Sequence, residues 1–510
     1  MWTAARLQRW LATSDFGGPI VVLANREPVR HDRAADGSIV VKQSGGGLVT
    51  ALQPLIEACS GVWVAHGAGT ADKAVVDWRD GVDLPPANPV YRLRRVWLDD
   101  DEQRGYYFGF SNEALWPWCH RAHVQPVFRS DDFDTYRAVN ARFADAVCEE
   151  VDSNAPLVLV QDYHFALAPR MLRQRRPFST VMSFWHIPWP RPRDCEACPW
   201  ARDLLRGLLG SDILGFQTPS DCHHFVDAVE SLLNARVNGA RTVITHAGRR
   251  TVVRAYPISI EWPSRWAHRS PAIRACRETV CRELELDAQT RLAVGVDRLD
   301  YTKGITEKFL AIEKLLELHP EFVGRFVFVQ IAEPSRNTLA AYRALRARLV
   351  ETAARINRRF GNGSYRPIVL LERHHEPADV YRFLRAADLC YVGSLHDGMN
   401  LVAKEFVAAR DDDRGVLVLS QFTGAARELT DALLVNPYAI KDAARVLARA
   451  LRMTEEEQTM RMRAMRALVS EFNAYKWIGE MLTDAARVRA RLPSAALDAC
   501  FDQLTPSIAG

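Results

Sequence analysis

Short runs of aliphatic and β-branched residues recur along this chain, and between them apolar positions fall at the three-to-four spacing of amphipathic helices. In the first half PIVVLANR, PLVLVQDYH, TVMSFWHIP and DILGFQT read as strands, and LVTALQPLIEA, ALAPRMLRQR and CHHFVDAVESLL as helices. A second series follows in RLAVGVDRLD, FVFVQIA, PIVLLE, DLCYVGS, GVLVLSQ and ALLVNP, each beside a helical segment. This alternation predicts parallel sheets with helices on both faces. The proline-bounded AYPISIEWPSRW marks a connection near Ile258 to Pro263. The expected architecture is therefore α/β, with two doubly wound, Rossmann-like domains facing across a cleft: 1–258, then 259–474. Residues 475–510 supply a helix returning to the first domain, with Trp477, Ile478 and Met481 at helical spacing, and a tail.

A chain of 510 residues at 48% hydrophobic content is too long for one core, in keeping with two domains. Lysine and arginine number 66 against 62 aspartates and glutamates. The net charge of +4 makes no broad field for nucleic acid or an anionic membrane, so an anion must be met by a local cluster. No apolar run approaches the roughly 20 residues of a membrane span. Arginines interrupt the N-terminal MWTAARLQRWLATSDFGG, and the ten cysteines lie in unrelated contexts, so a cytoplasmic protein with reduced thiols is expected.

Charge and imidazole gather at strand ends, where the loops and helix N-termini of such sheets meet ligands. Arg26 closes PIVVLANR, Asp162 and His164 close PLVLVQDYH, His186 closes TVMSFWH, Arg298 closes RLAVGVDR, and Asp397 closes DLCYVGSLHD. Ser44-Gly45-Gly46-Gly47 before LVTALQPL either lets backbone approach an anion or is a surface turn. Arg298 and Lys303, five apart with Gly304 behind, suit a diphosphate at a helix start better than a solvated pair. SLHDGMNLVAKEFVAAR brackets Gly398, Met399 and Asn400 with two carboxylates, Asp397 and Glu405.

Other patterns read more plainly. Cys195 and Cys198, with Cys222, His223 and His224 beyond, have a spacing zinc could use, but a lone CxxC among prolines favours packing cysteines. Asp132 to Thr135 matches an aspartate-phosphatase pattern, yet it opens the helical FDTYRAVNARFADAV and reads as an acidic first turn. The runs Asp99 to Asp101 and Asp411 to Asp413 read as solvated loops rather than a metal site. The cluster Tyr106, Tyr107, Phe108, Phe110, Trp116 and Trp118 is either core or one wall of a pocket. No G-x-S-x-G accompanies a serine nucleophile.

ANREP, SGGGL, YYFGFSNEALWP, QDYH, HIPWP, LGFQT, YPISI, DRLDYTKG, IAEPSR, DGMNLVAKE and VLVLSQFTGAARE together resemble the trehalose-6-phosphate synthase family, retaining glucosyltransferases of the GT-B fold, from about Pro19 to the 480s. The resemblance implies a nucleotide-sugar-binding C-terminal domain and an acceptor-binding N-terminal domain. The reaction it implies moves glucose from UDP-glucose to glucose 6-phosphate, giving α,α-trehalose 6-phosphate and UDP. By the same resemblance Arg298 and Lys303 neutralise the donor diphosphate, and Leu401 and Val402 offer it backbone N–H groups. Gly46 and Gly47 cover the phosphates. Asp397 and the backbone of Gly398, Met399 and Asn400 meet the sugar hydroxyls, Glu405 meets the ribose, and His186 touches the donor glucose. Arg26 and Arg336 meet the acceptor phosphate, with Tyr107, Trp116 and Asp162 around its ring. Asp162, His186, Arg298, Lys303 and Asp397 form the catalytic set.

No cofactor or metal is implied. In the family's usual account the leaving phosphate oxygen takes the acceptor's proton on the same face, so neither Asp162 nor Asp397 need be a nucleophile as in a paired-carboxylate glycosidase. The chain departs from the family pattern at Trp63-Val64-Ala65-His66-Gly67, where His66 replaces a tryptophan, at Trp189 of HIPWP, and at His396 before DGMN. These departures bear on the acceptor. Glucosylglycerol-phosphate synthases, pseudo-glycosyltransferases with other phosphorylated acceptors, and silent sugar-phosphate sensors are the alternatives. A sensor would be expected to lose the donor contacts retained here. The donor nucleotide and any homo-oligomer are left open by the sequence.

Overall fold

A computed structural model describes residues 2–14, 19–43, 47–121, 124–153 and 155–490. The chain forms two compact units. One comprises Trp2–Arg121, Gln125–Ile258 and the chain from Tyr475 on. The other comprises Ser259–Ala474, with which Val124 is grouped.

The N-terminal unit is built on a ten-stranded sheet. From one edge the order is Arg236–Val237, Val243–His246, Arg249–Ala255, Ile213–Phe216, Thr180–Trp185, Leu157–Gln161, Ile20–Leu23, Val62–His66, Tyr91–Val96 and Gly81–Leu84. The seven central strands are parallel, and the outer ones close the edges as antiparallel hairpins. Leu157–Gln161, Thr180–Trp185, Ile213–Phe216 and Ile20–Leu23 are buried along their whole length, as expected of strands covered on both faces. Strand order reverses between Ile20–Leu23 and Leu157–Gln161, which makes the loops after them, carrying Arg26 and Asp162, the switch point.

The C-terminal unit holds six parallel strands in the order Ile368–Leu371, Phe326–Glu333, Arg291–Arg298, Leu389–Val392, Val416–Ser420 and Leu433–Val435. Its reversal lies between Arg291–Arg298 and Leu389–Val392, so Arg298 to Lys303 and Ser394 to Asn400 leave the sheet at one crevice.

All ten strands foreseen from pattern are present, and several others are not evident from it. Tyr91–Val96 carries arginines at three of six positions and Arg249–Ala255 at three of seven, and several of these side chains pair with acids on helices, Arg92 and Arg94 with Glu150 and Arg254 with Asp484. The acidic runs are not free loops. Asp99 caps the short helix Asp100–Glu102 in a reciprocal capping box, while Asp411, Asp412 and Asp413 pair with Arg385, Arg410 and Arg463. The stretch with the phosphatase-like pattern is the helix Ser130–Glu150, with Asp131 and Asp132 in its first turn. No helix among the described residues is long and apolar enough to cross a membrane.

The helix Ala474–Arg489 seals the N-terminal unit with buried Trp477, Ile478, Met481, Leu482 and Ala485. Trp477 donates its indole N–H to Tyr256 O at 3.1 Å and sets its ring edge-on to Phe184. Asp484 accepts the Tyr256 hydroxyl at 2.8 Å. At Gly479 a Cβ would stand 2.7 Å from the Trp2 ring.

Candidate active site

In the C-terminal unit the strand Arg291–Arg298 runs into the single turn Tyr301–Lys303, which Asp300 caps by accepting Thr302 N–H at 3.0 Å. Gly304 follows with φ +61°, where a Cβ would meet Gly393 O at 2.1 Å, so only glycine lets the turn approach the next strand's loop. Lys303 thereby reaches across the crevice to Asp397 at 2.5 Å. The same carboxylate oxygen accepts Ser394 Oγ at 3.1 Å and Asn400 Nδ2 at 3.2 Å. Asn400, at φ +80°, caps the helix Leu401–Ala409 by accepting Ala403 N–H. The amides of Leu401 and Val402 are first-turn donors that the helix itself does not use. Gly424 packs so closely beneath the turn that a Cβ would lie 2.0 Å from Gly398 O, and the Ala425 N–H donates to Met399 O at 2.9 Å.

Glu405 lies in the second turn of that helix, half-buried, and burial pushes its carboxyl up to about 7. Lys404 beside it is not its counter-charge: it is fully buried and pairs with Glu428 at 2.8 Å. Arg336 belongs to this unit. It sits after the strand Phe326–Glu333 at φ +49°, its side chain 2% exposed, and donates to Asp300 at 3.2 Å and to the Tyr342 hydroxyl at 2.5 Å.

In the N-terminal unit Asp162 has φ +72° and ψ 173°, a region that only glycine occupies without strain. It is pinned there because its N–H donates to Phe184 O at 2.7 Å, while its carboxylate accepts His186 N–H at 3.1 Å. His186 Nε2 lies 2.9 Å from Gln161 Oε1, and burial lowers its imidazole to about 3, so the ring is neutral. Tyr107 stacks nearly parallel on His164, and Trp116, 4% exposed, packs against Tyr163 and His120. Both rings thus surround the turn that follows Asp162.

The aromatic cluster divides. Tyr106, Phe110, Trp116 and Trp118 are core, whereas Tyr107 and Phe108 are half-buried. Its segment Gln103–Leu115 winds as a π-helix, with Trp116 N–H bonded to Ser111 O. Arg26 is exposed in the loop after Ile20–Leu23, and the neighbouring Asn25 accepts the Tyr106 hydroxyl at 2.9 Å. Gly47 opens the helix Gly47–Cys59, while Gly46 lies outside the described residues. His66 ends the strand Val62–His66 with Nδ1 3.1 Å from Val96 O, held neutral by burial. Trp189 is core, wedged edge-on between Trp185 and Phe225. Cys195, Cys198 and Cys222 are buried thiols pushed up to about 12 by burial, and no group of three metal-ligating side chains is assembled among the described residues.

Two Rossmann-like units, each with charged residues at its switch point, define a glycosyltransferase of the GT-B class. The model of glycosyltransferase family 20 matches residues 19–487, and the chain belongs to that family. It is 39% identical over 489 residues to a trehalose-6-phosphate synthase of Mycobacterium sp. (strain KMS), covering 94% of this chain and 96% of that one. Among solved structures it is similar to one from E. coli described as trehalose-6-phosphate bound with UDP-2-fluoro glucose, at TM-score 0.80 and 32% identity over 92% of this chain and 99% of that one. It is also similar to an α,α-trehalose-phosphate synthase (UDP-forming) from Burkholderia xenovorans in complex with glucose-6-phosphate. There the TM-score is 0.81 and the identity 32%, over 92% of this chain and all of that one.

Sequence reasoning missed the residues that hold these groups in place: Asp300, Tyr342, Gln161, Ser394 and Gly424. Gln161, Asp300 and Gly424 lie inside QDYH, DRLDYTKG and VLVLSQFTGAARE, and Ser394 lies just before DGMN, which is the signal the sequence offers for them. Tyr342 lies 42 residues from Asp300, and nothing in the pattern joins them.

Proposed function

We propose that this protein transfers glucose from UDP-glucose to glucose 6-phosphate with retention, forming α,α-trehalose 6-phosphate and UDP. The observation that carries the reading is the crevice of the C-terminal unit, where Lys303 and Arg298 flank one strand end and Asp397 the next, with Glu405 a turn behind. Two cations, Lys303 held on Asp397 and Arg298 at the strand end, suit a diphosphate that leaves with a growing negative charge, and they can supply that stabilisation without a metal. Asp397 and the Gly398–Asn400 turn suit sugar hydroxyls. Glu405 suits the vicinal diol of a ribose, which one carboxylate can accept twice. Neutral His186, in the N-terminal unit, suits a sugar hydroxyl as a hydrogen-bonding partner rather than as a charge. In the N-terminal unit Arg26, Tyr107, Trp116 and Asp162 suit an acceptor sugar, and in the C-terminal unit Arg336 suits a phosphate.

In the reaction so read, the acceptor hydroxyl attacks the anomeric carbon as the bond to the diphosphate breaks, and the departing phosphate oxygen takes its proton. The protein contributes position and charge rather than a covalent partner. The nine described cysteines are free thiols, as a reducing compartment maintains them, and we place the activity in the cytoplasm.

The test is a nucleotide-release assay over a panel of sugar nucleotides and phosphorylated acceptors, with Lys303→Ala alongside. UDP-glucose with glucose 6-phosphate should give the highest kcat/KM. A charge-assisted bond to phosphate contributes about 1.5–3 kcal/mol, so Lys303→Ala should bind the donor roughly tenfold or more weakly. A better acceptor elsewhere in the panel would overturn the assignment of substrate, and unchanged donor affinity in the variant would overturn the site.

A further inference from the structure

Asp300 is fully buried between the two anion-binding elements of the C-terminal unit. One carboxylate oxygen accepts the Thr302 N–H and the Thr302 hydroxyl, both at 3.0 Å, and so fixes the turn that carries Lys303. The other accepts Arg336 Nη1 at 3.2 Å and the Tyr342 hydroxyl at 3.1 Å, and so fixes the guanidinium. Tyr342 also accepts Arg336 Nη1, closing a three-membered network behind a residue whose backbone sits at φ +49°. A strained, buried arginine holds its position only where its surroundings over-determine it.

We propose that Asp300 is a positioning residue shared by the donor and acceptor sites, setting Lys303 for the nucleotide diphosphate through Thr302 and Arg336 for the acceptor phosphate through Tyr342. This rests on the functional reading above. Neither half is a substrate contact, and a lone structural ion pair would need only one of them. The electrostatics agree: burial would raise the Asp300 carboxyl, but Arg336, Arg298, the Thr302 amide and Lys303 outweigh it and hold the group at about 2. The carboxylate thus sits in the field of three cations, with Arg336 its direct ion-pair partner and Lys303 paired to Asp397, and it stays ionised throughout the working range of pH. Losing its charge breaks the ion pair to Arg336 and weakens the acceptor that holds Thr302, and so loosens both halves at once.

The test uses the full-length protein, UDP as the donor-side probe in calorimetric titration, and the KM for glucose 6-phosphate as the acceptor-side readout. Asp300→Asn keeps the shape and removes the charge. It should weaken both constants about tenfold, whereas Lys303→Ala should move chiefly the UDP constant and Arg336→Ala chiefly the acceptor KM. A merely structural defect would instead reduce the binding stoichiometry and kcat together while the surviving molecules kept their affinities. Two gentler variants separate the halves and stand in if Asp300→Asn does not fold. Thr302→Val should weaken UDP a few-fold and spare the acceptor, and Tyr342→Phe should do the reverse. Coupling through Asp300 is overturned if Asp300→Asn shifts only one constant or neither, or if the gentler variants do not divide in this way. A wild-type protein that bound neither UDP nor glucose 6-phosphate would remove the functional reading itself, and the coupling with it.

Discussion

Glu405 is a carboxyl in the wrong solvent for its charge. Burial lifts it from an ordinary glutamate value to about 7, above what the same group has in the unfolded chain. Between roughly pH 4.5 and 7 the folded protein therefore holds a proton that the unfolded chain has released, and stability falls as pH rises through that window. Glu405→Gln removes the liability. Allowing for the half-exposed position, the variant should be more stable than wild type by about 1–2 kcal/mol at pH 8, with the difference gone near pH 4.5. Urea unfolding at the two pH values would show this, and donor affinity should fall in the same variant. Equal stability at pH 8 would mean that the carboxyl is not disfavoured there. Asp162, Asn400 and Arg336 show the same compromise in backbone form, each at a positive φ costing about 1–3 kcal/mol that its hydrogen bonds must offset. Stability has been given up at positions that the proposed function uses.

Among the elements, the turn from Asp397 to Asn400 owes its shape to a neighbour outside its own motif. Gly424 opens the short helical turn Gly424–Arg427 with its Cα against Gly398 O, a backbone atom that cannot swing aside. Gly424→Ala should therefore destabilise the protein by about 1–3 kcal/mol and weaken UDP binding as the turn is pushed from place. Gly239→Ala, where a Cβ meets nothing within 4 Å, should leave both unchanged. A melting curve and a UDP titration of each variant decide the matter, and a neutral Gly424→Ala would sever the turn from its support.

This is also the scale at which the sequence stops being legible. Buried parallel strands advertise themselves, since Leu157–Gln161 or Val416–Ser420 must be apolar on both faces. Strand-end charges such as Lys303 and Asp397 stand out against them. Tyr91–Val96 escapes notice because its arginines serve as partners for acids on other elements, and Gln103–Leu115 because a π-helical winding obeys neither of the two periods that pattern reading tests. Asp300 was in plain view within DRLDYTKG, but its role depends on Tyr342, and contacts across such a separation leave no local trace.

At the scale of the whole molecule, the main passages of the chain between the units lie at Ile258 to Ser259 and at Ala474 to Tyr475. Within the C-terminal unit the two passages lie side by side, Ala474 N–H donating to Ile260 O at 2.8 Å. The helix Ala474–Arg489 then fills the N-terminal unit with Trp477, 3% exposed, against Tyr256 and Phe184. Truncating that ring should cost the N-terminal unit about 3–5 kcal/mol, so Trp477→Ala should lower the urea midpoint clearly, and an unmoved midpoint would show that the helix is a passenger. The same feature sets an order of events on the ribosome. The first 258 residues emerge with an apolar groove still open along Phe184 and Tyr256, and its cover is not translated until more than two hundred residues later. At 5–20 residues per second that is roughly 10–40 seconds of exposure, a window in which a chaperone or a neighbouring nascent chain meets the groove before its own helix does.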